Sequence, residues 1–350
     1  MKALSKQNVF IGSGSINDLK LFLKKNNYPE IVVLADENTF KYCYPVISAY
    51  IGKHLSIRIK SSENNKNIAS CVNAWKVLSE KNIGRNAVVI NLGGGIICDM
   101  GGFIASTYKR GIDFIHIPTS LLAMCDACIG GKLAVNFNGL KNYIGLFKNP
   151  AAIAVYPDFL KTLPEKQIFS GFAEIIKHAI IADKRFFNEI SELYDFAGDL
   201  EKIIIRSIRI KSRIVDLDVS EKGIRKSLNF GHSIGHALES FHIIANQGVT
   251  ISHGEAVAAG IIAESFISYR KKLLDEKELN QIISLIQKFY KKIIIDDLHL
   301  KNISDIVTKD KKNELSAKLF SLIAGIGQFR INEKVSDEEI MESLKFYQNL

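Results

Sequence analysis

The sequence changes its hydrophobic rhythm once, near residue 160, and that change limits the folds open to it. Up to that point apolar runs rich in β-branched residues, IVVLAD (31–36), HLSIRIK (54–60), NAVVINLGG (86–94) and DFIHIPTS (113–120), alternate with stretches of helical period. Strands spaced by helices predict a mostly parallel sheet with crossover helices. Beyond Leu163 the pattern turns to long helical segments such as FSGFAEIIKHAIIA, DLEKIIIRSIRIKSRIVDLD and KSLNFGHSIGHALESF, which predict an all-helical second half. Pro164, in the turn Lys161-Thr162-Leu163-Pro164-Glu165, suits the first turn of a helix and interrupts what precedes it. The expected architecture is an α/β, Rossmann-like domain over residues 1–162 and an all-α domain over residues 163–350.

A chain of 350 residues is long enough for two buried cores. Its longest apolar run, Ala256–Ala263, falls far short of the ~18 residues that cross a bilayer. The N-terminus MKALSKQNVFIGSGS lacks the apolar stretch and cleavage site of an export signal, so a cytoplasmic location is expected. The odd set Cys43, Cys71, Cys98, Cys125 and Cys128 reads as reduced, packed thiols, the CxxC spacing of the last two included. The net charge of +9 is spread over scattered lysines with no run of five, which reads as a solvated surface and not a nucleic-acid patch.

Three groups of residues carry chemistry. The first is Gly93-Gly94-Gly95, after the apolar strand 87–92 and before a helical segment. Glycines there let a backbone approach a phosphate, while the next helix supplies N–H donors and partial positive charge. The G-x-G-x-x-G fingerprint is absent, and a glycine triplet at such a turn also serves purely structural needs. Asp36, ending the strand IVVLAD with Asn38 beside it, is placed to bind a ribose hydroxyl or, equally, to cap a helix.

The second group is metal-like. Glu174, His232 and His253 lie in three helical contexts, and one carboxylate with two imidazoles is a common catalytic zinc set. His232 and His236 share a helix face at i,i+4 with Glu239 one turn further on, and Glu174 and His178 form a second i,i+4 pair. Spacing therefore leaves several three-ligand combinations open. The third group is cationic or amide-bearing: Arg110, Lys132, Lys141, Asn142, Lys177, Lys211, Arg225, Asn229 and the pair Lys311-Lys312. A cationic pocket beside a metal implies a polyanionic substrate, most simply a phosphorylated carboxylic acid.

Taken together, the stretches LGGGIICDMGGFIASTYKRG, IPTSLLAMCDACIGGKLAVN, GLKNYIGLF, LKTLP, GFAEIIKHAII, GIRKSLNFGHSIGHALE, HGEAVAAG and DKK resemble the 3-dehydroquinate synthases, a family of the sugar-phosphate cyclases whose fold is shared with NAD- and metal-dependent polyol dehydrogenases. The resemblance implies zinc, or Co2+ in its place, on Glu174, His232 and His253. It leaves His236 as an acid/base or hydrogen-bonding residue on the substrate side. Asp36, Asn38, Glu63, Lys66, Gly94, Gly95, Asp99, Thr119, Ser120, Lys141 and Thr162 match NAD-contacting positions. Asp126, Lys132, Lys141, Asn142, Lys177, Lys211, Arg225, Asn229 and Lys312 match substrate-contacting positions, and Arg110 matches an arginine used across a homodimer interface. Ser120 departs from the family's Pro-Thr-Thr, Leu133 from a threonine, and the segment Phe241–Ser252 is slightly long.

The implied reaction converts 3-deoxy-D-arabino-heptulosonate 7-phosphate into 3-dehydroquinate and phosphate by transient NAD oxidation, β-elimination, re-reduction and intramolecular aldol closure. The alternatives are another sugar-phosphate cyclase and an NAD- and metal-dependent polyol or glycerol-phosphate dehydrogenase. The expected partners are a small phosphorylated heptulosonate and a second copy of the chain, with neither nucleic acid nor membrane.

Overall fold

The computed structural model describes residues 8–193, 200–244, 251–310 and 318–350. Its contacts divide the chain into two compact units, residues 1–164 with 199–216, and residues 165–198 with 217–350.

The first unit holds strands β1 (Val9–Ile11), β2 (Ile31–Asp36), β3 (Leu55–Ile59), β4 (Val88–Gly93), β5 (Asp113–Pro118), β6 (Lys132–Phe137), β7 (Leu140–Phe147) and β8 (Ala152–Val155). Its helices are α1 (Ser15–Asn26), α2 (Glu37–Tyr42), α3 (Tyr44–Ile51), α4 (Ile68–Glu80) and α5 (Gly95–Thr107). Six strands form a parallel sheet in the order β1-β8-β5-β4-β2-β3. Every residue of β4 is buried, which is why its sequence reads as a continuous apolar run and not an alternation. Val32, Leu34 and Val89 on the sheet pack with Ile97, Met100 and Ile104 of α5, and Leu133 and Val135 of the β6–β7 hairpin belong to the same cluster. From β2 the chain runs outward to β3 and returns to β4 on the other side of β2. The carboxyl ends of β2 and β4 therefore flank a topological switch point, where open α/β sheets bind ligands.

The second unit contains α6 (Glu165–Ala182), α7 (Lys184–Glu192), α9 (His232–Ile244), α10 (His253–Arg270), α11 (Glu276–Phe289), α12 (Asp297–Asp310) and α13 (Asp337–Asn349), while α8 (Leu200–Leu217) lies almost wholly in the first. It is helical as expected, with one addition: β9 (Leu319–Ile323) and β10 (Phe329–Lys334) form an antiparallel ribbon near its end. The stretch KSLNFG, read as helix, is a 3-10 turn over Ile224–Asn229, and the α-helix starts only at His232. The first unit runs to Pro164 and α6 begins at Glu165. Helix α8 departs from a simple two-part division: it belongs with the first unit, where its Lys211 pairs with Asp126. No helix among the described residues is long and apolar enough to cross a membrane.

Candidate active site

In the helical unit three elements bring their side chains to one point. Glu174 sits mid-way along α6, fully buried, and Lys177 one turn later is buried against its Oε2. His232 is the first residue of α9 and His253 the first of α10. Helix α10 starts there because Ser252 and Glu255 form a reciprocal capping box. The Nε2 atoms of His253 and His232 lie 3.1 and 3.4 Å from the same Glu174 oxygen, Oε1. Each ring is turned by a contact at its other nitrogen: His232 Nδ1 is 3.2 Å from the Phe230 carbonyl, and His253 Nδ1 is 3.4 Å from Glu239 Oε2.

With Nδ1–H donating to those acceptors, both Nε2 atoms turn toward one carboxylate oxygen, and an Nε2 that carries no proton aims its lone pair at that same point. Three converging acceptors repel unless a cation sits between them, and this donor set, one carboxylate and two imidazoles, suits a divalent metal with open positions. The charges say the same. Burial alone lowers the pKa of His253, yet the hydrogen bonds and charges of Glu174 and Glu239 overcome it and raise it to about 9. Burial pushes the Glu174 carboxyl up, but Lys177 and the two histidines hold it well below the usual range. A second group, His236, Glu239 and His253, also has ligand atoms within 4.8 Å of one another. His236, although its side chain is exposed, is pushed down to about 3, by desolvation and then by the charges of His232 and His253.

The helix crossing that sets this geometry is built on glycines. Gly260 of α10 packs on the backbone of Gly231 and Gly235, and Gly254 packs on Ser170 of α6, to whose Oγ it donates at 3.3 Å. The other substrate candidates of this unit lie in and just before the 3-10 turn. Arg225 is buried, with Nη1 donating to the Val219 carbonyl at 2.8 Å, and exposed Asn229 donates to Glu221 Oε1 at 3.1 Å. Lys312 lies outside the described residues.

In the α/β unit, Gly94 is the N-cap of α5 and supplies no side chain to the first-turn N–H groups. A Cβ on Gly94 would stand 3.3 Å from Ser120 Oγ and one on Gly95 would stand 3.4 Å from Ala127 Cβ, so side chains here would fill the cradle over the helix N-terminus. That cradle fits an anion such as a pyrophosphate. Buried Thr119 closes the neighbouring turn by donating its N–H to the Gly93 carbonyl. Asp36 Oδ1 caps α2 through Asn38 N and Thr39 N, both at 2.9 Å, which realises the capping reading and leaves Oδ2 outside the cap. Asn38 itself donates to Ser61 Oγ, and Thr162 donates to the Phe159 carbonyl within its own 3-10 turn.

Lys66, 4% exposed, donates to Asp99 Oδ2 at 2.6 Å and to Asn142 Oδ1 at 2.5 Å. Asn136 joins Glu63 to the same cluster, donating to Glu63 Oε1 and accepting from Asn142 N. Burial raises the Asp99 carboxyl in spite of Lys66. Lys211 reaches Asp126 Oδ1 at 2.7 Å. Lys132 and Lys141 are exposed on the β6–β7 hairpin, and Arg110 is exposed in a left-handed conformation, φ 71°. All five cysteines are buried and free, and desolvation raises every thiol.

The 3-dehydroquinate synthase N-terminal family matches residues 56–170 and the C-terminal family matches residues 171–313. The chain belongs to the 3-dehydroquinate synthase family. The 3-dehydroquinate synthase of Parabacteroides distasonis is 39% identical over 350 residues, 98% of each chain, and that of Alkaliphilus metalliredigens is 38% identical over 91% of this chain and 90% of its own. Among solved structures, 2-epi-5-epi-valiolone synthase from Streptomyces hygroscopicus with NAD+ and Zn2+ bound superposes with a TM-score of 0.85 at 22% identity, covering 98% and 97% of the two chains. A 2-deoxy-scyllo-inosose synthase complexed with carbaglucose-6-phosphate, NAD+ and Co2+ superposes with 0.82 at 22% identity, covering 98% and 96%. These two establish the 3-dehydroquinate synthase-like fold.

Sequence reasoning passed over the roles of three residues. Glu239, seven residues after His232 on one helix face, backs His253, and that spacing carried the signal. Asn136 and Glu221 had none, because their partners Asn142 and Asn229 are set by hairpin and loop geometry.

Proposed function

We propose that the chain converts 3-deoxy-D-arabino-heptulosonate 7-phosphate into 3-dehydroquinate and phosphate. Membership of the family carries the reaction, and the convergence of Glu174 Oε1 with the Nε2 atoms of His232 and His253 supports a metal-dependent site within it. The identity of 39% over 98% of the chain favours this substrate over those of the cyclases matched only in fold at 22%. A glycerol dehydrogenase from Schizosaccharomyces pombe, at TM-score 0.64 and 15% identity, shares only the fold.

In this reading Glu174, His232 and His253 would hold Zn2+ or Co2+, and the α5 cradle, Asp36 and the Glu63–Lys66–Asp99 cluster would hold NAD. When bound, the metal acidifies a substrate hydroxyl and the nicotinamide takes a hydride and later returns it. The chain does the rest. On the helical unit, His236 would accept a hydrogen bond or proton from the substrate, Lys177 would meet its phosphate, and Arg225 and Asn229 would meet its carboxylate and hydroxyl end. On the α/β unit, Lys132, Lys141 and Asn142 would be phosphate contacts and Asp126 and Lys211 hydroxyl contacts, and Lys312 is carried over from the family as a further substrate contact. Holding the opened chain in one folded conformer is what the aldol closure needs. A homodimer belongs to the proposal, with exposed Arg110 serving the partner's site. The apolar exposure of Phe137, Leu140, Tyr143 and Phe147 on the β6–β7 hairpin gives a second copy something to cover.

The test is phosphate release from 3-deoxy-D-arabino-heptulosonate 7-phosphate with catalytic NAD and zinc while absorbance follows net NADH. Phosphate in excess over NAD with no NADH accumulation is the expected result. NADH rising in step with turnover makes the protein a dehydrogenase, and no turnover with this substrate refutes the assignment.

A further inference from the structure

Glu264 lies three turns along α10 from His253 and is fully buried. Its carboxylate reaches the start of α9, where Oε2 accepts the Gly231 N–H at 2.7 Å and Oε1 accepts the Ile234 N–H at 3.0 Å. The residue before α9 is Gly231, which has no side chain to cap with, so the orphan donors of that helix are satisfied from α10 instead. A carboxylate at a helix N-terminus is also favoured by the helix dipole.

The Gly231 N–H belongs to the same peptide unit as the Phe230 carbonyl, and that carbonyl lies 3.2 Å from His232 Nδ1. An amide whose N–H donates to a carboxylate is polarised, and its carbonyl becomes a better acceptor. The hydrogen bonds thus run in one line from Glu264 through the Phe230–Gly231 peptide to His232 Nδ1–H, which leaves Nε2 to face Glu174 Oε1. The other imidazole, His253, has Glu239 directly behind it. Both imidazoles are backed by a carboxylate, one in contact and one through a single peptide.

We infer that Glu264 is a positioning residue for the metal site, fixing the tautomer, orientation and donor strength of His232 through the Phe230–Gly231 peptide. The inference rests on the metal-binding reading of Glu174, His232 and His253. Outer groups of this kind change metal affinity by about 10–100-fold when removed. In Glu264→Gln the side-chain amide offers one acceptor oxygen, and its NH2 stands against an N–H donor.

The experiment measures the zinc dissociation constant of metal-stripped wild type and Glu264→Gln by competition with a chelating dye, beside urea unfolding of both metal-free proteins. Binding weakened about 10–100-fold in a variant that remains folded is the expected result. A variant that is less stable but binds zinc within twofold of wild type has lost only a structural cap, and the inference falls. Wild type that binds no zinc removes the metal reading as well, so the two failures are distinguishable. Should Glu264→Gln not fold, 15N spectra of histidine-labelled, zinc-loaded wild type decide: the inference requires a proton on His232 Nδ1 and zinc on Nε2, and the reverse arrangement overturns it.

Discussion

Replacing Gly260 by alanine sets helix propensity against helix packing, and the two predict opposite signs. Gly260 lies inside α10, where glycine to alanine ordinarily stabilises by about 0.5–1 kcal/mol. A Cβ at this position overlaps the Gly231 carbonyl oxygen and stands 2.8 Å from Gly235 N and 2.9 Å from the Gly231 carbonyl carbon. Non-bonded contacts settle at about 3.5 Å, so the Gly235 N contact alone requires α9 and α10 to part by about 0.7 Å, and the overlapped Gly231 carbonyl oxygen requires more. Overpacking of this kind costs about 1–3 kcal/mol, enough to reverse the propensity gain. The same shift separates His232 from His253, whereas metal–ligand distances tolerate only about 0.2 Å. Urea unfolding of the metal-free proteins is expected to show Gly260→Ala less stable than wild type, and chelator competition to show weaker zinc binding. A variant as stable as wild type or more so, with unchanged zinc affinity, refutes the claim that this glycine contact sets the spacing of the two ligands.

Glu174→Ala strips the carboxylate from buried Lys177 as well as from the metal, so the metal-free protein is expected to lose about 3–5 kcal/mol in urea unfolding. The double variant Glu174→Ala/Lys177→Met should regain much of that stability and none of the zinc content. Lys66→Met removes charged hydrogen bonds to Asp99 and Asn142 and should weaken NAD binding about 10–100-fold by calorimetry with zinc content unchanged. With the pKa of His253 raised to about 9, zinc must displace a proton at any lower pH. Apparent zinc affinity should therefore fall about tenfold per pH unit from 8.5 to 7, and a flat profile there means that His253 is not protonated in the metal-free protein.

The long central strands were legible because burial on both faces leaves nothing but apolar residues between turn signals, as in IVVLAD and NAVVINLGG. The strands β1 and β8, three and four residues long, and the ribbons β6–β7 and β9–β10 were not. Such short segments carry little period of their own and exist through their partners: β1 is a strand because Val9, Phe10 and Ile11 lie beside Ile153, Ala154 and Val155. Helix α8 was legible as a helix, but its place with the first unit comes from contacts far apart in sequence, such as Lys211–Asp126, between residues 85 apart. Asp36 shows the complementary case, since the sequence offered a helix cap and a ribose ligand and the structure spends one carboxylate oxygen on the cap while the other stays outside it.

The metal site divides in the same way between what spacing can and cannot decide. An i,i+4 pair says that His232 and His236 share a helix face, and it is silent on which of them meets Glu174. Helix start points decide that. The first turn of α9 begins at His232 because Gly231 adopts φ +78° and packs on α10, and α10 begins at His253 because Ser252 caps it. Both histidines are therefore the first residues of their helices, where a backbone carbonyl or carboxylate beside the chain can take Nδ1–H and turn Nε2 inward. His236, one turn into α9, has no comparable anchor among the described residues, and its ring lies 5.1 Å from that of His232 and 6.1 Å from that of His253. In the proposed reading, that would leave His232 and His253 to hold the metal and His236 to handle protons. What favours His232 over His236 is its Nε2, 3.4 Å from Glu174 Oε1, on a first turn of α9 that Glu264 and the Gly260 contact hold in place.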